Sequence, residues 1–85
     1  QTVHAGLMFF YEALDRMEIS YFRTHSNFFL IDVKQPADAV YEALLKEGVI
    51  VRSMTSYGFP HFIRVNVGRM DENIRCIEAL KKVMQ

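Results

Sequence analysis

The sequence has a single cysteine, no tryptophan, no excess of either charge and no long hydrophobic run. One cysteine, Cys76, excludes an internal disulfide and a cysteine-based zinc site, and the three histidines are too scattered to suggest another metal site. The ten basic side chains equal the ten acidic ones, so no net field favours nucleic acid or acidic membranes. No apolar segment approaches the ~20 residues of a membrane span, and no signal-peptide pattern is present. We therefore expect a cytoplasmic protein that binds neither nucleic acid nor membrane.

The apolar content is high for so short a chain. Hydrophobic residues make up 51% of the 85 residues, slightly above the usual range for a globular protein. A single small domain has too much surface to hide them all, so we expect part of them to face another domain or subunit. The chain also begins at Gln1, without an initiator Met and inside an apparent helical pattern. We interpret it as part of a longer protein.

Apolar periodicity predicts three helices. The first covers residues 1–17, the second begins at Pro36 and ends at Gly48, and the third begins near Asp71. The predicted inner faces of the three helices are, in order, Val3, Leu7, Met8, Phe10, Tyr11, Leu14 and Met17; Ala37, Val40, Tyr41, Leu44 and Leu45; and Ile74, Ile77, Leu80 and Met84. Cys76 shares the third stripe and is predicted to be a small core residue rather than a nucleophile.

Four short apolar segments predict strands. These are residues 19–23, 28–33, 49–51 and 62–67, and the second is apolar enough to predict a strand covered on both faces. The element order is α-β-β-α-β-β-α. We predict a two-layer α+β domain whose helices pack on a small, mainly antiparallel or mixed sheet.

The last predicted strand contains a charge. Strand side chains alternate between faces, so Ile63 and Val65 point one way, whereas Phe62, Arg64 and Asn66 point the other. A buried guanidinium without a partner costs several kcal/mol. Arg64 therefore either lies on a solvated face or binds an anion that the chain does not supply, and the residues alone leave both open.

Three segments in a fixed order resemble a known family. They are Asn27-Phe28, Gly48 to Arg52, and Ile63 to Gly68 followed by Asp71-Glu72-Asn73. This pattern resembles the C-terminal small domain of the fold type I, pyridoxal-phosphate-dependent aminotransferases, and within that family it most resembles the histidinol-phosphate aminotransferase branch, whose members serve histidine biosynthesis. The resemblance covers nearly the whole chain from about Ile19. It implies that residues 1–85 are such a small domain, entered by the helix over 1–17.

The resemblance also implies roles for two arginines. Arg64 would hold the α-carboxylate of the amino-acid substrate through its guanidinium fork, and Arg52 would bind the substrate phosphate. Asn27 is better explained as a turn residue than as a ligand. Arg69 stands where the family usually has a Thr or Ser helix cap, so the cap must come from Asp71 or shift along the chain.

The resemblance further implies that the chemistry lies elsewhere in the protein. The lysine that binds pyridoxal phosphate belongs to a serine-rich motif of the family's large domain, and none of this chain's lysines has that setting. We therefore predict no catalytic, cofactor-binding or metal-binding residue here. The expected partners are the large domain of the same chain, an amino-acid and a phosphorylated substrate, and a second subunit in a homodimer. The chain alone is predicted to be inactive.

Three alternatives stay open from the sequence. The first is another fold type I enzyme, such as an aromatic aminotransferase or a threonine-phosphate decarboxylase. The second is an independent α+β ligand-binding or regulatory module, although the element order is not the usual βαββαβ. The third, a binder of single-stranded RNA, is disfavoured by the zero net charge and by the lack of a glycine-aromatic strand motif.

Overall fold

The computed structural model describes residues 2–24 and 26–84. They form three helices and four strands in the predicted order α-β-β-α-β-β-α. The elements are α1 (Val3–Arg16), β1 (Tyr21–Phe22), β2 (Phe28–Asp32), α2 (Ala37–Lys46), β3 (Arg52–Ser53), β4 (Phe62–Asn66) and α3 (Met70–Val83), with a short 3₁₀ turn at Thr55–Tyr57 before β4.

The four strands form one antiparallel sheet in the order β1-β2-β4-β3. β4 lies inside the sheet, between β2 and the edge strand β3. In the β2–β4 pair Phe29 lies opposite Val65 and Ile31 opposite Ile63. The predicted α+β class with a small, mainly antiparallel sheet is confirmed.

All three helices cover the same face of this sheet. Phe29, Ile31, Ile63 and Val65 point toward the helices and are buried, and the Phe10 ring of α1 lies 4.9 Å from the Phe29 ring, centroid to centroid. Alternate residues of β2, beginning with Phe28, are only half-buried on the opposite face. The prediction that β2 is covered on both faces is therefore wrong for the part of the chain described. We call this second side of the sheet, which carries no helix, the open face.

The helices begin and pack slightly differently from the prediction. α1 begins at Val3, and Thr2 is its N-cap because the Thr2 hydroxyl accepts a hydrogen bond from the Ala5 N–H at 3.1 Å. The prediction that the chain begins inside a helix is therefore wrong for the described residues; Gln1 lies outside them. Pro36 precedes α2 instead of opening it. Gly48, with φ of 82°, follows α2 as the predicted stop. Several predicted inner-face residues are exposed because they flank the buried stripes: Val3, Met8, Leu45 and Ile74.

The third strand is shorter and later than predicted. Val49 and Val51 are buried by packing and Ile50 is exposed, but sheet pairing begins only at Arg52. The prediction of a strand over 49–51 was therefore wrong in its bounds. Alternation without a paired neighbour does not make a strand.

The start of α3 is held by two side chains of its first turn. Glu72 Oε1 accepts from the Arg69 N–H at 2.8 Å, while the Asp71 carboxylate accepts from the Arg69 guanidinium, so capping by Asp71 was wrong. Asn73 is buried, and its carboxamide accepts from the Gly68 N–H at 2.9 Å and donates to the Gly68 carbonyl at 3.2 Å. This double hydrogen bond joins α3 to the end of β4.

Candidate anion-binding site

Arg64 lies on the open face, at the centre of the sheet. Its neighbours Ile63 and Val65 are buried under the helices, so the alternation predicted for this strand is confirmed. β4 is paired on both sides, which fixes the Arg64 backbone more firmly than an edge strand would. The side chain nevertheless belongs to a face that carries no helix.

The Arg64 guanidinium is held in place by an aromatic ring. Its Cζ lies 5.0 Å from the centroid of the Phe28 ring, within range of a cation–π interaction. The Arg64 Nε is buried and has no hydrogen-bond partner among the described residues. A buried N–H donor without a partner is costly, so this nitrogen favours an acceptor from outside these residues.

Arg52 lies directly opposite Arg64 across the β3–β4 pair. Like charges at opposed positions of a sheet repel each other. Neither arginine has a carboxylate within 4.0 Å among residues 2–24 and 26–84, and the nearest polar group recorded for Arg52 is the Tyr57 hydroxyl, 3.4 Å from its Nη1. An anion between the two guanidinium groups would replace repulsion with attraction.

A small cavity of about 150 Å³ lies where the two arginines meet. Arg52, Arg64 and Asn66 supply its polar lining, and Ile50 and Val51 its apolar wall. A cavity of this volume holds several water molecules and therefore also a carboxylate or a phosphate. We call it the anion cavity. Sequence reasoning placed Asn66 on the same side as Arg64 but gave it no role.

A larger groove of about 620 Å³ reaches Arg52 from its other side. Asp38 and Glu42 of α2 line that groove, and the Asp38 carboxylate accepts from the Ser53 hydroxyl at 2.5 Å. Two carboxylates disfavour an anion at this place. The anion cavity is therefore the better site for an oxyanion.

A cluster of three phenylalanine rings includes Phe62, which lies two residues before Arg64 on the same face of β4. Phe62 lies 5.5 Å from Phe22 and 5.9 Å from Phe59, measured between ring centroids. Phe22 and Phe59 are more than half exposed. An apolar rim of this kind lowers the local dielectric around the guanidinium groups once it is covered, and it thereby strengthens their interaction with an anion.

Lysines could hold a cofactor, and clustered His, Cys, Asp or Glu side chains could hold a metal. Lys34 lies in the turn after β2, Lys46, Lys81 and Lys82 lie near helix ends, and all four are exposed and off the strands. No cluster of three or more His, Cys, Asp or Glu side chains able to hold a metal occurs among the residues described. None of the helices within that part of the chain is long and apolar enough to cross a membrane.

Comparison with known proteins identifies the family. The model of the family "Aminotransferase class I and II" matches residues 1–80. The chain belongs to this family. The resemblance to aminotransferases stated from the sequence is therefore confirmed. Aminotransferases of class I and II depend in general on pyridoxal phosphate.

Two similar curated relatives are histidinol-phosphate aminotransferases. Histidinol-phosphate aminotransferase 1 of Nitrosococcus oceani is 46% identical over 81 residues, which are 95% of this chain and 22% of that protein. Histidinol-phosphate aminotransferase of Desulfotalea psychrophila is 50% identical over 64 residues, which are 75% of this chain and 17% of that protein. The chain thus spans about a fifth of the length of these relatives.

Solved aminotransferase structures share the fold. The histidinol-phosphate aminotransferase of Clostridium acetobutylicum matches with a TM-score of 0.83 and 26% identity, over 96% of this chain and 26% of that one. An aminotransferase structure from Burkholderia pseudomallei matches with a TM-score of 0.88 and 23% identity, over 98% of this chain and 26% of that one. The second likeness concerns the fold alone.

Proposed function

We propose that this chain is the small domain of a pyridoxal-phosphate-dependent aminotransferase that acts on histidinol phosphate in histidine biosynthesis. The observation that carries the proposal is the pair of arginines, Arg52 and Arg64, facing each other across one anion cavity without a carboxylate partner among the described residues. The names of the most similar relatives support the choice of substrate.

In this proposal the two arginines bind and orient the substrate. Arg64 presents two parallel N–H groups to the α-carboxylate of the amino-acid substrate, and the Phe28 ring fixes the plane of that fork. Arg52 binds the phosphate of the phosphorylated substrate. Pyridoxal phosphate, held by the large domain, supplies the electron sink for amino transfer. Both arginines would contact the substrate from the same face of the sheet, so together they would fix the orientation of the bound substrate.

The proposal includes closure of the site by the rest of the protein. The large domain of the same chain would cover the open face, exclude water at the aromatic rim and strengthen both arginine contacts. The intact protein is proposed to be a cytoplasmic homodimer. The 85-residue chain alone is proposed to be inactive because its lysines lie away from the anion cavity.

The test is Arg64→Lys in the intact enzyme. Lysine keeps the charge but loses the planar fork, so we expect a loss of about 2–4 kcal/mol in transition-state binding, measured as kcat/KM. Both half-reactions should lose activity, because histidinol phosphate, which carries no carboxylate, presents its phosphate to Arg64 in the same cavity where glutamate presents its α-carboxylate. Arg75→Lys is the matched control, because Arg75 is an exposed arginine of α3 that does not line the anion cavity. Unchanged kcat/KM for both substrates in Arg64→Lys would rule out Arg64 as the ligand.

A further inference from the structure

We propose that Asn66 is a third ligand in the anion cavity and that its carboxamide makes the cavity favour a phosphate monoester over a carboxylate. This inference rests on the proposed function, in which the cavity receives the substrate's anionic group. Nothing in the family resemblance pointed to Asn66. The assignment comes from its place on the sheet and from the number of oxygens that each anion presents.

The position of Asn66 follows from the strand register. It stands two residues after Arg64 on β4, so both side chains lie on the open face. Its cross-strand partner is Phe28, whose ring also lies against the Arg64 guanidinium. Asn66 lines the anion cavity together with Arg52 and Arg64. Asn66 is exposed and its carboxamide makes no hydrogen bond to the described residues, so its N–H donors are open to a ligand.

The chemistry of the two anions differs in the number of acceptors. A carboxylate presents two oxygens, and one guanidinium fork satisfies both. A phosphate monoester presents three terminal oxygens, so acceptor positions remain after the guanidinium forks of Arg52 and Arg64 have bound. The Asn66 NH₂ group supplies two further donors from the same wall of the cavity. The Asn66 carboxamide adds hydrogen bonds without adding charge. It therefore stabilises the bound anion only when the anion has a third oxygen to accept them.

The test compares two substrates in the intact enzyme carrying Asn66→Ala. We expect kcat/KM for histidinol phosphate to fall about 10-fold, the effect of one lost hydrogen bond to a charged group. The half-reaction with glutamate should change less than about 2-fold, since its carboxylate does not need the third ligand. Inhibition by inorganic phosphate should weaken by about the same 10-fold factor. Single-turnover rates of both half-reactions are measured on one preparation of each variant.

Two further variants control for folding and position. Asn66→Asp keeps the shape but replaces the donors with a negative charge, so the loss for histidinol phosphate should exceed that of Asn66→Ala. Asn27→Ala removes an exposed carboxamide beside the same sheet but outside the anion cavity, and it should change neither substrate. Retained activity with glutamate shows that Asn66→Ala and Asn27→Ala are folded; for Asn66→Asp, whose charge also repels the glutamate carboxylate, urea unfolding shows it.

The outcomes separate this inference from the proposed function. Equal losses for both substrates, or an unchanged rate with histidinol phosphate in Asn66→Ala and Asn66→Asp, would overturn the role of Asn66. If the Asn66 variants fail in this way while Arg64→Lys still lowers both rates, the proposed function stands without it. If Arg64→Lys and Arg52→Ala leave both rates unchanged, the proposed function itself fails.

Discussion

Arg52 and Arg64 lie at one position of the sheet but in different surroundings. Arg64 is half-buried on the inner strand β4 with its Cζ 5.0 Å from the Phe28 ring centroid, whereas Arg52 is exposed on the edge strand β3 and, among the described residues, has only the Tyr57 hydroxyl as a side-chain partner. A firmly held fork suits the anionic group that each substrate brings to this cavity, the carboxylate of glutamate or the phosphate of histidinol phosphate. A looser arginine suits an anion that only one substrate carries.

The residue-scale prediction for Arg52 follows from this difference. In the intact enzyme Arg52→Ala should lower kcat/KM for histidinol phosphate by roughly 2–3 kcal/mol, the scale of a lost charge-assisted contact. The half-reaction with glutamate should change by well under about 1 kcal/mol, as for a surface substitution. Single-turnover rates of both half-reactions on one preparation are the measurement. Equal losses would indicate structural damage, and an aromatic aminotransferase would show no dependence on phosphate.

Cys76 supports a second residue-scale prediction. Burial raises the pKa of its thiol from 9.0 to about 12. Between these values the unfolded chain loses the proton while the folded chain keeps it, so folding stability is fully present below pH 9 and falls as pH rises toward 12. The wild type should lose up to about 1.4 kcal/mol per pH unit more than Cys76→Ala in this range.

Urea unfolding of both proteins between pH 8 and about 11 measures this difference as the free energy of unfolding. The comparison with Cys76→Ala cancels every pH-dependent contribution that the two proteins share. Parallel pH profiles of the two proteins would contradict a buried, protonated thiol at this position.

At the scale of elements, the sequence predicts those features of a helix or strand that depend only on the spacing of neighbouring residues. The alternation in β4 places Arg64 correctly because a period of two is independent of what pairs with the strand. The bounds of β3 and the meeting of Arg52 with Arg64 could not be predicted, since they depend on pairing between distant segments. The exposed Leu45 and Ile74 were misplaced because a helical stripe does not define its own edges.

Asn73 shows how one element positions another. It is fully buried on α3 and satisfies both backbone groups of Gly68, where β4 ends. Asn73→Ala leaves a buried N–H and a buried carbonyl without that partner, so we expect a loss of about 2–4 kcal/mol in the free energy of unfolding. Urea denaturation is the measurement. Glu78→Ala, at an exposed position of α3, should change the free energy of unfolding by less than about 0.5 kcal/mol. Equal effects of the two variants would contradict the role of Asn73 in joining α3 to β4.

For the whole molecule, the apolar surplus predicted from composition is divided between the helices and the rest of the chain. Val3, Met8, Leu45 and Ile74 are exposed on helices, and Phe22, Ile50, Tyr57 and Phe59 are exposed outside them. Phe10 and Tyr11, on the predicted inner face of α1, are 0% and 4% exposed, and Tyr11 packs parallel to Tyr21 with ring centroids 4.8 Å apart. Part of the uncovered apolar surface adjoins the anion cavity, since Ile50 lines it and the Tyr57 hydroxyl lies 3.4 Å from Arg52 Nη1.

This arrangement predicts how the isolated 85-residue chain behaves in solution. Exposed phenylalanine rings on a small domain favour self-association, so we expect dimers and binding of a hydrophobic fluorescent dye at micromolar concentrations and above. Replacing both rings, Phe22→Ser with Phe59→Ser, should reduce dye binding by about half or more, since these two phenylalanine side chains are more than half exposed. Leu45→Ser is the matched control, because it removes an exposed apolar side chain from α2 and should change dye binding much less. Light scattering and dye fluorescence are the measurements. A monomeric wild-type chain that binds no dye would argue for a self-contained module whose open face needs no cover.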